Sequence, residues 1–438
     1  KYSGGFGNRG KSVRCMQQIL DLHIHSKYSR ACSRDLTLEN IDAACRTKGV
    51  DIIATGDFTY PAWFTGIKKE LEEIGGSGLY KLKLSSDSRI KFLLSTEVAL
   101  IYKDGNRARR IHLVIHAPNI KAAEELNIYL GKRFNIKSDG RPILGMTSPD
   151  LVKLCLSIHP NFLVYPAHIW TPWFSVFGSK SGFNSMEECF HEYADNIFAY
   201  ETGLSSDPEM NWRLSALDKL TLISNSDAHS LQNIGREANI FELDDISYNE
   251  IYEAIKNKDT KKIKYTIEFY PEEGMYHYDG HRGCGVNLSP AESKKDKGIC
   301  PVCKKILTAG VAGRVDELAD RPSGFFPLAA PGFKKLVELD KIIAEVFGIK
   351  SRRALKVQVE YNKLISRLGS ELDILLDTPL GEIKKVASGM ITEGIRRARV
   401  GELTIEPGFD GQYGKIKIFN KEERDKNKQG ILFYNKRA

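Results

Sequence analysis

The stretch ILDLHIHSKYSR (Ile19–Arg30) begins as an apolar run, carries two histidines, and then becomes polar. Side chains two residues apart on a β-strand point the same way, so the imidazoles of His23 and His25 are neighbours on one face. Imidazole is the commonest side-chain ligand for metals. Because such a pair also occurs as two half-buried polar side chains, the strands that follow decide between the two interpretations.

The chain from Gln17 to about Ser230 repeats one pattern: a short apolar run, a polar residue able to bind metal, and an amphipathic segment. Strands alternating with helices predict parallel βα units, and buried parallel strands are apolar along their length. Polar residues are common where strands end. Imidazole or carboxylate at all seven ends, however, predicts an α/β barrel whose C-terminal rim gathers metal ligands. The runs end in His23 and His25, Asp57, Glu97, His116, His168, Glu201, and Asp227 with His229.

The composition is that of an ordinary globular chain, with 438 residues, 42% of them hydrophobic and 27% charged. No apolar run approaches the roughly 20 residues that span a bilayer, and no signal-like segment precedes the first strand. We therefore expect a cytoplasmic protein without a membrane partner. The net charge of +8 slightly favours a polyanionic partner. Residues 1–15 lack periodicity and are interpreted as a flexible tail or a cloning remnant.

Two further ligand pairs flank a polar loop within residues 271–324. Four nitrogen and sulfur ligands with no open position predict a structural zinc site, and His277 is an alternative fourth ligand. A redox CxxC motif is disfavoured, because no thioredoxin-like βαβ pattern surrounds it. A module this small needs the metal to fold. The ligands are His281, Cys284, Cys300 and Cys303.

Helical patterns such as FKKLVELDKIIAEVFG follow Gly324 and predict a mainly helical C-terminal domain over residues 325–438. Arg396 and Arg397, and the Lys- and Arg-rich tail after Gly414, are candidates to contact a nucleic-acid backbone. Charged helices are usually only solvated faces. The combination with a zinc module favours the nucleic-acid interpretation.

The signatures DLHIHS, TGD, STE, VIHAP, PAH and NSDAH resemble those of polymerase and histidinol phosphatase (PHP) domains, over Met16 to about Tyr270. The resemblance implies a distorted (β/α)7 PHP barrel with two or three divalent metal ions, zinc first, with magnesium or manganese as alternatives. Many relatives have a histidine where this chain has Ala31, and Asp57 is expected to supply a carboxylate to the third metal position. Glu201 is expected to be a ligand, an acceptor for an imidazole N–H, or a substrate contact. The implied ligands are His23, His25, Glu97, His116, His168, Asp227 and His229.

Metal ions held by imidazole and carboxylate lower the pKa of a bound water and neutralise phosphate oxygens, which predicts phosphoester hydrolysis. The residues expected to carry this chemistry are Asp227, His229, Glu97 and Asp57. Beside the first motif, Lys27, Arg30 and Arg34 are candidates to hold phosphates and are equally well interpreted as a solvated loop.

Three longer signatures, PAHIWTPWFSVFG, YETGLSSDPEMNWRLSALD and HYDGHRGCG followed by CPVC, resemble the endonuclease Q family over nearly the whole chain after Met16. This resemblance implies a DNA repair endonuclease that cuts 5′ of uracil, hypoxanthine, xanthine or an abasic site. Its partners would be damaged single- or double-stranded DNA and a sliding clamp. Such an enzyme extrudes a base against aromatic walls, with core packing as the alternative role for these rings. The candidate rings are Trp170, Trp173, Phe174 and Phe177.

Two other functions remain open. A PHP phosphatase for a small phosphorylated metabolite would need neither the zinc module nor the helical extension. A non-catalytic DNA-binding or helicase-associated protein would have no reason to keep costly polar groups converging at a rim.

Overall fold

The structure is a computed structural model that describes residues 15–87, 89–328, 330–420 and 422–423. The tail predicted at residues 1–15 lies outside the described residues except for Cys15. Most of the basic tail after Gly414 lies outside them too. In the described part of the chain, no helix is long and apolar enough to cross a membrane.

The strands are short and come mainly from the first two thirds of the chain. They are β1 Met16–Asp21, β2 Ile52–Ala54, β3 Leu71–Glu73, β4 Tyr80–Leu82, β5 Lys91–Leu93, β6 Ser95–Asp104, β7 Arg107–His116, β8 Ile143–Leu144, β9 Leu163–Pro166, β10 Ala199–Glu201, β11 Thr221–Ile223, β12 Ala238–Leu243, β13 Ile263–Glu268, β14 Asp279–His281, β15 Val286–Leu288, β16 Gly332–Lys335, β17 Thr404–Glu406 and β18 Lys415–Lys417.

The helices cover the barrel and dominate the last hundred described residues. They are α1 Leu38–Lys48, α2 Pro61–Glu70, α3 Ile120–Arg133, α4 Ser148–Ile158, α5 Met186–Phe190, α6 Pro208–Asn211, α7 Tyr248–Lys256, α8 Pro290–Lys295, α9 Val311–Leu318, α10 Leu339–Phe347, α11 Leu355–Leu368, α12 Glu371–Leu376, α13 Leu380–Val386 and α14 Gly389–Val400.

The barrel closes through two sheets and a two-stranded ribbon. One sheet has the order β16-β13-β12-β1-β2-β5-β4-β3, the other β8-β6-β7-β9, and only Leu94 separates β5 from β6. The ribbon β10-β11 joins them: the Ile169 amide donates to the Glu201 carbonyl, and the His25 amide to the Ala228 carbonyl at 3.1 Å. The predicted fold class, a distorted α/β barrel followed by a small module and a mainly helical C-terminal region, is confirmed.

The prediction of parallel neighbours is wrong for β7. This strand runs antiparallel to both β6 and β9. Gly105 and Asn106 form a two-residue turn between β6 and β7, and Gly105 has the positive φ of 55° that tight hairpin turns require. The two ten-residue strands are therefore one hairpin, without a helix between them.

Helix α1 shows how the barrel helices are fixed. Its N-cap, Thr37, accepts from the Asn40 amide, and its buried face includes Leu38 and Ile41. The helix ends at Gly49, whose φ of 91° lies in the left-handed region that favours glycine. Since a Cβ on Gly49 would collide with Ser370, this turn also allows the C-terminal helices to pack closely.

The C-terminal region is tied to the rest of the chain at several points. Strand β16 extends the barrel sheet beside β13 and includes Phe333–Lys335, the predicted start of a helix, so helix α10 begins only at Leu339. After α14 the chain returns to the module, where the Tyr278 amide donates to the Gly408 carbonyl. The domain boundaries near residues 270 and 324 stay predictions.

Two buried carboxyl groups, Glu237 and Glu268, lie at neighbouring ends of β12 and β13. Burial, with the Asp207 carboxylate, raises the pKa of Glu268 above its ordinary value, although Thr266 and Thr202 donate to it. Between the ordinary pKa of a glutamic acid and the raised pKa of Glu268, the folded chain keeps a proton that the unfolded chain loses. The contribution of this group to stability therefore falls as the pH rises from the first value to the second.

We expect Glu268→Gln to flatten the fall in unfolding free energy between about pH 5 and pH 8, because the glutamine has no proton to lose. Urea unfolding at three pH values in this range would measure the slope. The exposed Glu192→Gln is the control and should keep the pH dependence of the unsubstituted protein. An unchanged slope in Glu268→Gln would contradict the assignment.

Candidate metal centre

Two buried imidazoles follow β1 and face a carboxylate at the barrel mouth. The Nε2 atom of His25 lies 3.1 Å from Asp227 Oδ1, and that of His23 lies 3.8 Å from the same oxygen. Among the described residues, none of these three buried atoms has a partner in hydrogen-bond geometry. A buried polar atom without a partner costs about 1–3 kcal/mol. A cation between them would satisfy all three.

Glu97, the third residue of β6, is a buried carboxylate. Three imidazoles and one guanidinium contact its oxygens. Its Oε2 lies 3.3 Å from His25 Nε2 and accepts from Arg141 Nη1 at 2.9 Å. Its Oε1 lies 2.8 Å from His112 Nδ1 and 3.2 Å from His168 Nε2. Burial alone would raise the pKa of Glu97, but His112 and Arg141 outweigh it and hold the pKa well below the usual range.

These side chains form one continuous centre of three overlapping sets. Within each set the donor atoms lie within 4.8 Å of one another, and the sets share His25 and Glu97. Imidazole and carboxylate are donors that zinc and other divalent ions bind. The sets are His23, His25 and Glu97; His25, Asp227 and His229; and Glu97, His112 and His168.

Asp227 and His229 form the part of the centre that solvent reaches. Asp227 lies four residues after β11 with a φ of 45°, a strained conformation for a non-glycine residue. The His229 ring donates from Nδ1 to the Asp227 carbonyl at 2.8 Å, which leaves Nε2 as its donor atom for a metal. The His229 side chain is 30% exposed, so a substrate would meet the centre here.

Asp57 and Glu201 lie behind the first two histidines. Asp57 Oδ1 lies 3.0 Å from His25 Nδ1, and its Oδ2 accepts from the Ser26 amide and the Ser29 hydroxyl. Because both oxygens are engaged, the structure does not bring Asp57 into the ligand sets. Glu201 Oε2 lies 3.0 Å from His23 Nδ1, which favours the imidazole-acceptor role among the three predicted for it. Such carboxylates fix the tautomer and orientation of metal-binding imidazoles.

The same two carboxylates set the charge of the centre. Burial alone would lower the pKa of His23 and His25, but Glu201 and Asp57 raise the pKa of each imidazole well above its ordinary value. The site therefore favours positive charge, carried by protons or by metal ions. Metal binding at such a site displaces protons.

The structure does not bring His116 to the rim. Since β7 runs antiparallel, its last residue pairs with Leu163 at the start of β9, and its imidazole lies 2.9 Å from the Tyr165 hydroxyl. His112, four residues earlier, lies where β9 ends, and its carbonyl accepts from the Ala167 amide. His112 is the ligand candidate that the sequence analysis missed. The DGN turn signal before β7 could have revealed it.

Three basic residues predicted to hold phosphates, Lys27, Arg30 and Arg34, lie exposed on the loop between β1 and α1. Arg141 was not predicted and comes closer to the centre, since its guanidinium bonds directly to Glu97 and remains 24% exposed. It follows Asp139 in a loop after α3, and its type and spacing carry no motif that would have singled it out.

The four predicted aromatic residues divide into two pairs. Trp170 and Phe177 are buried core residues, and Trp170 Nε1 donates to Asn211 Oδ1 at 2.7 Å, which contradicts a substrate contact for these two. Trp173 is 37% exposed. The half-buried Phe174 packs on His112 with 4.6 Å between ring centroids. Of these four rings, Trp173 and Phe174 are therefore the two that a substrate can reach.

The second predicted site lies outside the barrel. Its four donor atoms lie within 4.8 Å of one another, as a tetrahedral zinc site requires. Burial raises the pKa of the Cys300 thiol, but the Cys303 and Val302 amides outweigh it and the net shift is downward, which favours a thiolate. His277 is not part of this cluster. The donors are His281, Cys284, Cys300 and Cys303.

The two arginines predicted to contact nucleic acid already have acidic partners within the chain. Arg396 pairs with Glu393 and Glu402, and Arg397 pairs with Glu393 and Glu423. These ion pairs neutralise the basic face of α14. The structure therefore does not favour Arg396 and Arg397 as a DNA contact.

Two segments of the chain match known protein families. Residues 338–402 match the family described as the MJ0043 C-terminal domain, and residues 212–260 match the family described as PHP-associated. The uncharacterized protein MJ0043 of Methanocaldococcus jannaschii is 32% identical over 254 residues, which cover 56% of this chain and 31% of MJ0043. The uncharacterized protein YqxK of Bacillus subtilis is 29% identical over 410 residues, which cover 91% of this chain and 98% of YqxK.

Two solved structures are similar over almost the whole chain. The lesion-specific endonuclease PfuEndoQ from Pyrococcus furiosus has a TM-score of 0.80 and 30% identity, covering 94% of this chain and 99% of that one. A structure of Endonuclease Q with a 27-mer duplex substrate carrying an abasic lesion at the active site has the same score and identity, covering 93% and 98%.

The distorted barrel and its converging imidazoles and carboxylates define a metal-dependent hydrolase of the PHP class. Similarity to PfuEndoQ extends through the module and the C-terminal helices to 99% of that chain. The chain belongs to the endonuclease Q family.

We expect His112→Ala to lower the divalent metal bound in the barrel, whereas His116→Ala should leave it unchanged. His112 shares a donor set with Glu97, while the hydrogen-bond partner of the His116 imidazole is the Tyr165 hydroxyl. Metal per chain after dialysis would be measured by mass spectrometry, with thermal melting as a check on folding. Metal loss in His116→Ala alone would contradict the strand direction argued above.

Cys303→Ser should remove about one zinc ion per chain and lower the melting temperature, since three of the four donors of a tetrahedral site would remain. The exposed Cys15→Ser is the matched control and should keep the full zinc content. Equal zinc content in both variants would show that the Cys and His cluster does not hold the metal.

Proposed function

We propose that this chain is a DNA repair endonuclease. It hydrolyses the phosphodiester on the 5′ side of uracil, hypoxanthine, xanthine or an abasic site. The observation that carries the proposal is the set of buried donor atoms at the rim, in a chain 30% identical over almost its whole length to a lesion-specific endonuclease. A sliding clamp as a further partner stays a prediction.

The residues that would hold divalent ions are those of the three donor sets. The imidazole-rich composition favours two or three zinc ions over magnesium, which prefers oxygen ligands. Bound divalent ions would supply an activated water and neutralise phosphate oxygens. Glu201 and Asp57 keep the His23 and His25 rings oriented toward the centre. The separate Cys and His cluster would hold one structural zinc.

Arg141 would hold a non-bridging oxygen of the scissile phosphate. Its side chain is partly exposed and one of its nitrogens bonds to Glu97, so further N–H groups of the planar guanidinium can serve a phosphate. Lys27, Arg30 and Arg34 on the neighbouring loop would carry the flanking phosphates. Positive charge on one side of the mouth would thus track the DNA backbone.

A cavity of about 190 Å³ beside the rim supports base extrusion. Trp173 and Tyr276 meet edge to face at its wall, with 5.3 Å between centroids. His277 also lines the cavity and is buried, and burial lowers its pKa to about 4, so its imidazole is neutral. The His277 Nδ1 atom has no hydrogen-bond partner among the described residues. An extruded base could pack against the aromatic rings of this cavity and form a hydrogen bond with the unpaired His277 nitrogen.

The test is a nicking assay on 5′-labelled duplexes that differ only in a central uracil, hypoxanthine, abasic site or normal base. We expect incision just 5′ of the lesion, lost in Asp227→Ala and retained in Asp195→Ala, whose side chain is 95% exposed. A chromogenic phosphomonoester is assayed in parallel. Turnover of that ester without incision of any duplex would replace the proposal with a small-molecule phosphatase.

A further inference from the structure

Two neighbouring arginines of β7, Arg109 and Arg110, lie on opposite faces of the hairpin and differ in their partners. Arg109 is buried, pairs with Asp104 at 3.0 Å, and packs its guanidinium over the Phe183 ring. Arg110 is exposed. Among the described residues, no carboxylate lies within ion-pair distance of its guanidinium. An exposed arginine alone indicates nothing, so its position relative to the metal centre decides what it can do.

Arg110 lies on the face of β7 that carries the ligand candidate His112. Side chains two residues apart on a strand point the same way. The Phe174 ring contacts both, since its centroid lies 4.6 Å from that of the His112 ring and 5.9 Å from the Arg110 Cζ atom. Two residues of strand span roughly 6.7 Å, so Arg110 stands beside the metal centre and not within it.

Phe174 fixes this arrangement. Its φ of 61° lies in the left-handed region, a strained conformation for a bulky residue that persists where the surrounding contacts hold it. Its carbonyl accepts from the His112 amide at 3.0 Å. An aromatic ring under a guanidinium attracts the cation and leaves the N–H groups at the guanidinium edge free for an anion. One strained residue therefore supports both a ligand candidate and an unpaired cation.

The backbone that carries Arg110 is held from two sides. Arg110 pairs with Ile101 on the neighbouring strand β6, and the Ser181 hydroxyl donates to the Arg110 carbonyl at 3.4 Å. Binding of an anion would therefore order the side chain alone, which keeps the entropic cost low.

Arg110 and Arg141 approach the metal centre from different sides. Arg141 bonds to Oε2 of Glu97, whereas His112, whose strand face Arg110 shares, lies 2.8 Å from Oε1. An anion bound by Arg110 is therefore not the one that Arg141 would hold. Guanidinium groups pair bidentately with phosphates, which repeat along a DNA strand.

We propose that Arg110 binds the phosphate next to the scissile one and so positions the lesion strand over the metal centre. The edge of its guanidinium donates to the non-bridging oxygens of that phosphate, and Phe174 keeps it beside His112. The ligand is a phosphodiester of the DNA backbone, so the contact reads no base. This inference rests on the proposed function and names a further substrate-binding residue for it.

The test measures steady-state nicking of a uracil duplex by the full chain. We expect Arg110→Ala to raise KM roughly tenfold and to change kcat by less than about twofold, because a flanking phosphate is bound equally in the ground and transition states. The slope of log KM against log salt should fall by about one. Arg110→Lys should recover part of the loss, since lysine keeps the charge without the planar fork of donors.

The matched control is Arg107→Ala, which removes an exposed arginine from the opposite face of the same strand. Its KM should stay within about twofold of the parent value, since salt screens exposed charges that make no contact. Melting temperatures should be unchanged in all three variants. The rise in KM for Arg110→Ala should be equal for uracil, hypoxanthine and abasic duplexes, and a rise confined to one lesion would overturn a backbone contact.

A second measurement locates the phosphate. Each phosphate around the lesion except the scissile one is replaced in turn by a neutral methylphosphonate. At the contacted position the replacement should raise KM for the unsubstituted chain about as much as Arg110→Ala does, and should add nothing in that variant. Additive effects at every position would contradict the proposal.

The outcomes separate this inference from the proposed function. If the unsubstituted chain nicks lesion duplexes and Arg110→Ala does so with the same KM, Arg110 is not a substrate contact and the proposed function stands. If the unsubstituted chain nicks no lesion duplex, the proposed function fails and this inference fails with it.

Discussion

The carboxylate of Glu97 is the constraint around which the barrel mouth is built. A carboxylate buried without partners would cost several kcal/mol, so its neighbours must supply compensating charge and hydrogen bonds. These come from His25 after β1, His112 on β7, His168 after β9, and Arg141 on a loop. Four separate segments of the chain therefore have to meet at one point. The same convergence produces the metal-binding geometry, so the stability of the rim and its chemistry have one origin.

Sequence alone predicted the rim wherever a parallel strand ends in it. His23, His25, His168 and Asp227 all follow strands, and the rule that such ends share one edge places them together. The rule failed for β7, because hydrophobic periodicity shows that a strand exists and does not show which way it runs. Because β7 runs in the opposite direction, His112 and not His116 lies at the rim. The direction of β7 is indicated by the turn residue Gly105, which is typical of a hairpin. The apolar pattern of the strand is the same for either direction.

Other misses have a different physical origin. Asp57 is the same residue type as the ligand candidate Asp227, and whether a carboxylate faces the metal or the back of an imidazole depends on which atoms converge in three dimensions. For Glu201 the sequence left three roles open for the same reason, and the contact with His23 favours the imidazole acceptor among them. Trp170 and Phe177 lie in an irregular loop whose spacing has no periodicity that would separate buried from exposed rings. The pairing of Arg396 with Glu393 was readable in principle, since acid and base lie three residues apart on a helix.

The module outside the barrel shapes the mouth as well as extending it. Arg314 is a largely buried guanidinium, and the carbonyls it binds belong to the loop that carries Trp173 and Phe174. Phe174 in turn packs on His112, and its carbonyl accepts from the His112 amide at 3.0 Å. A chain of direct contacts thus leads from α9, next to the Cys and His cluster, to a ligand candidate of the barrel. The module and the metal centre are therefore joined by direct contacts, although their donor atoms are separate.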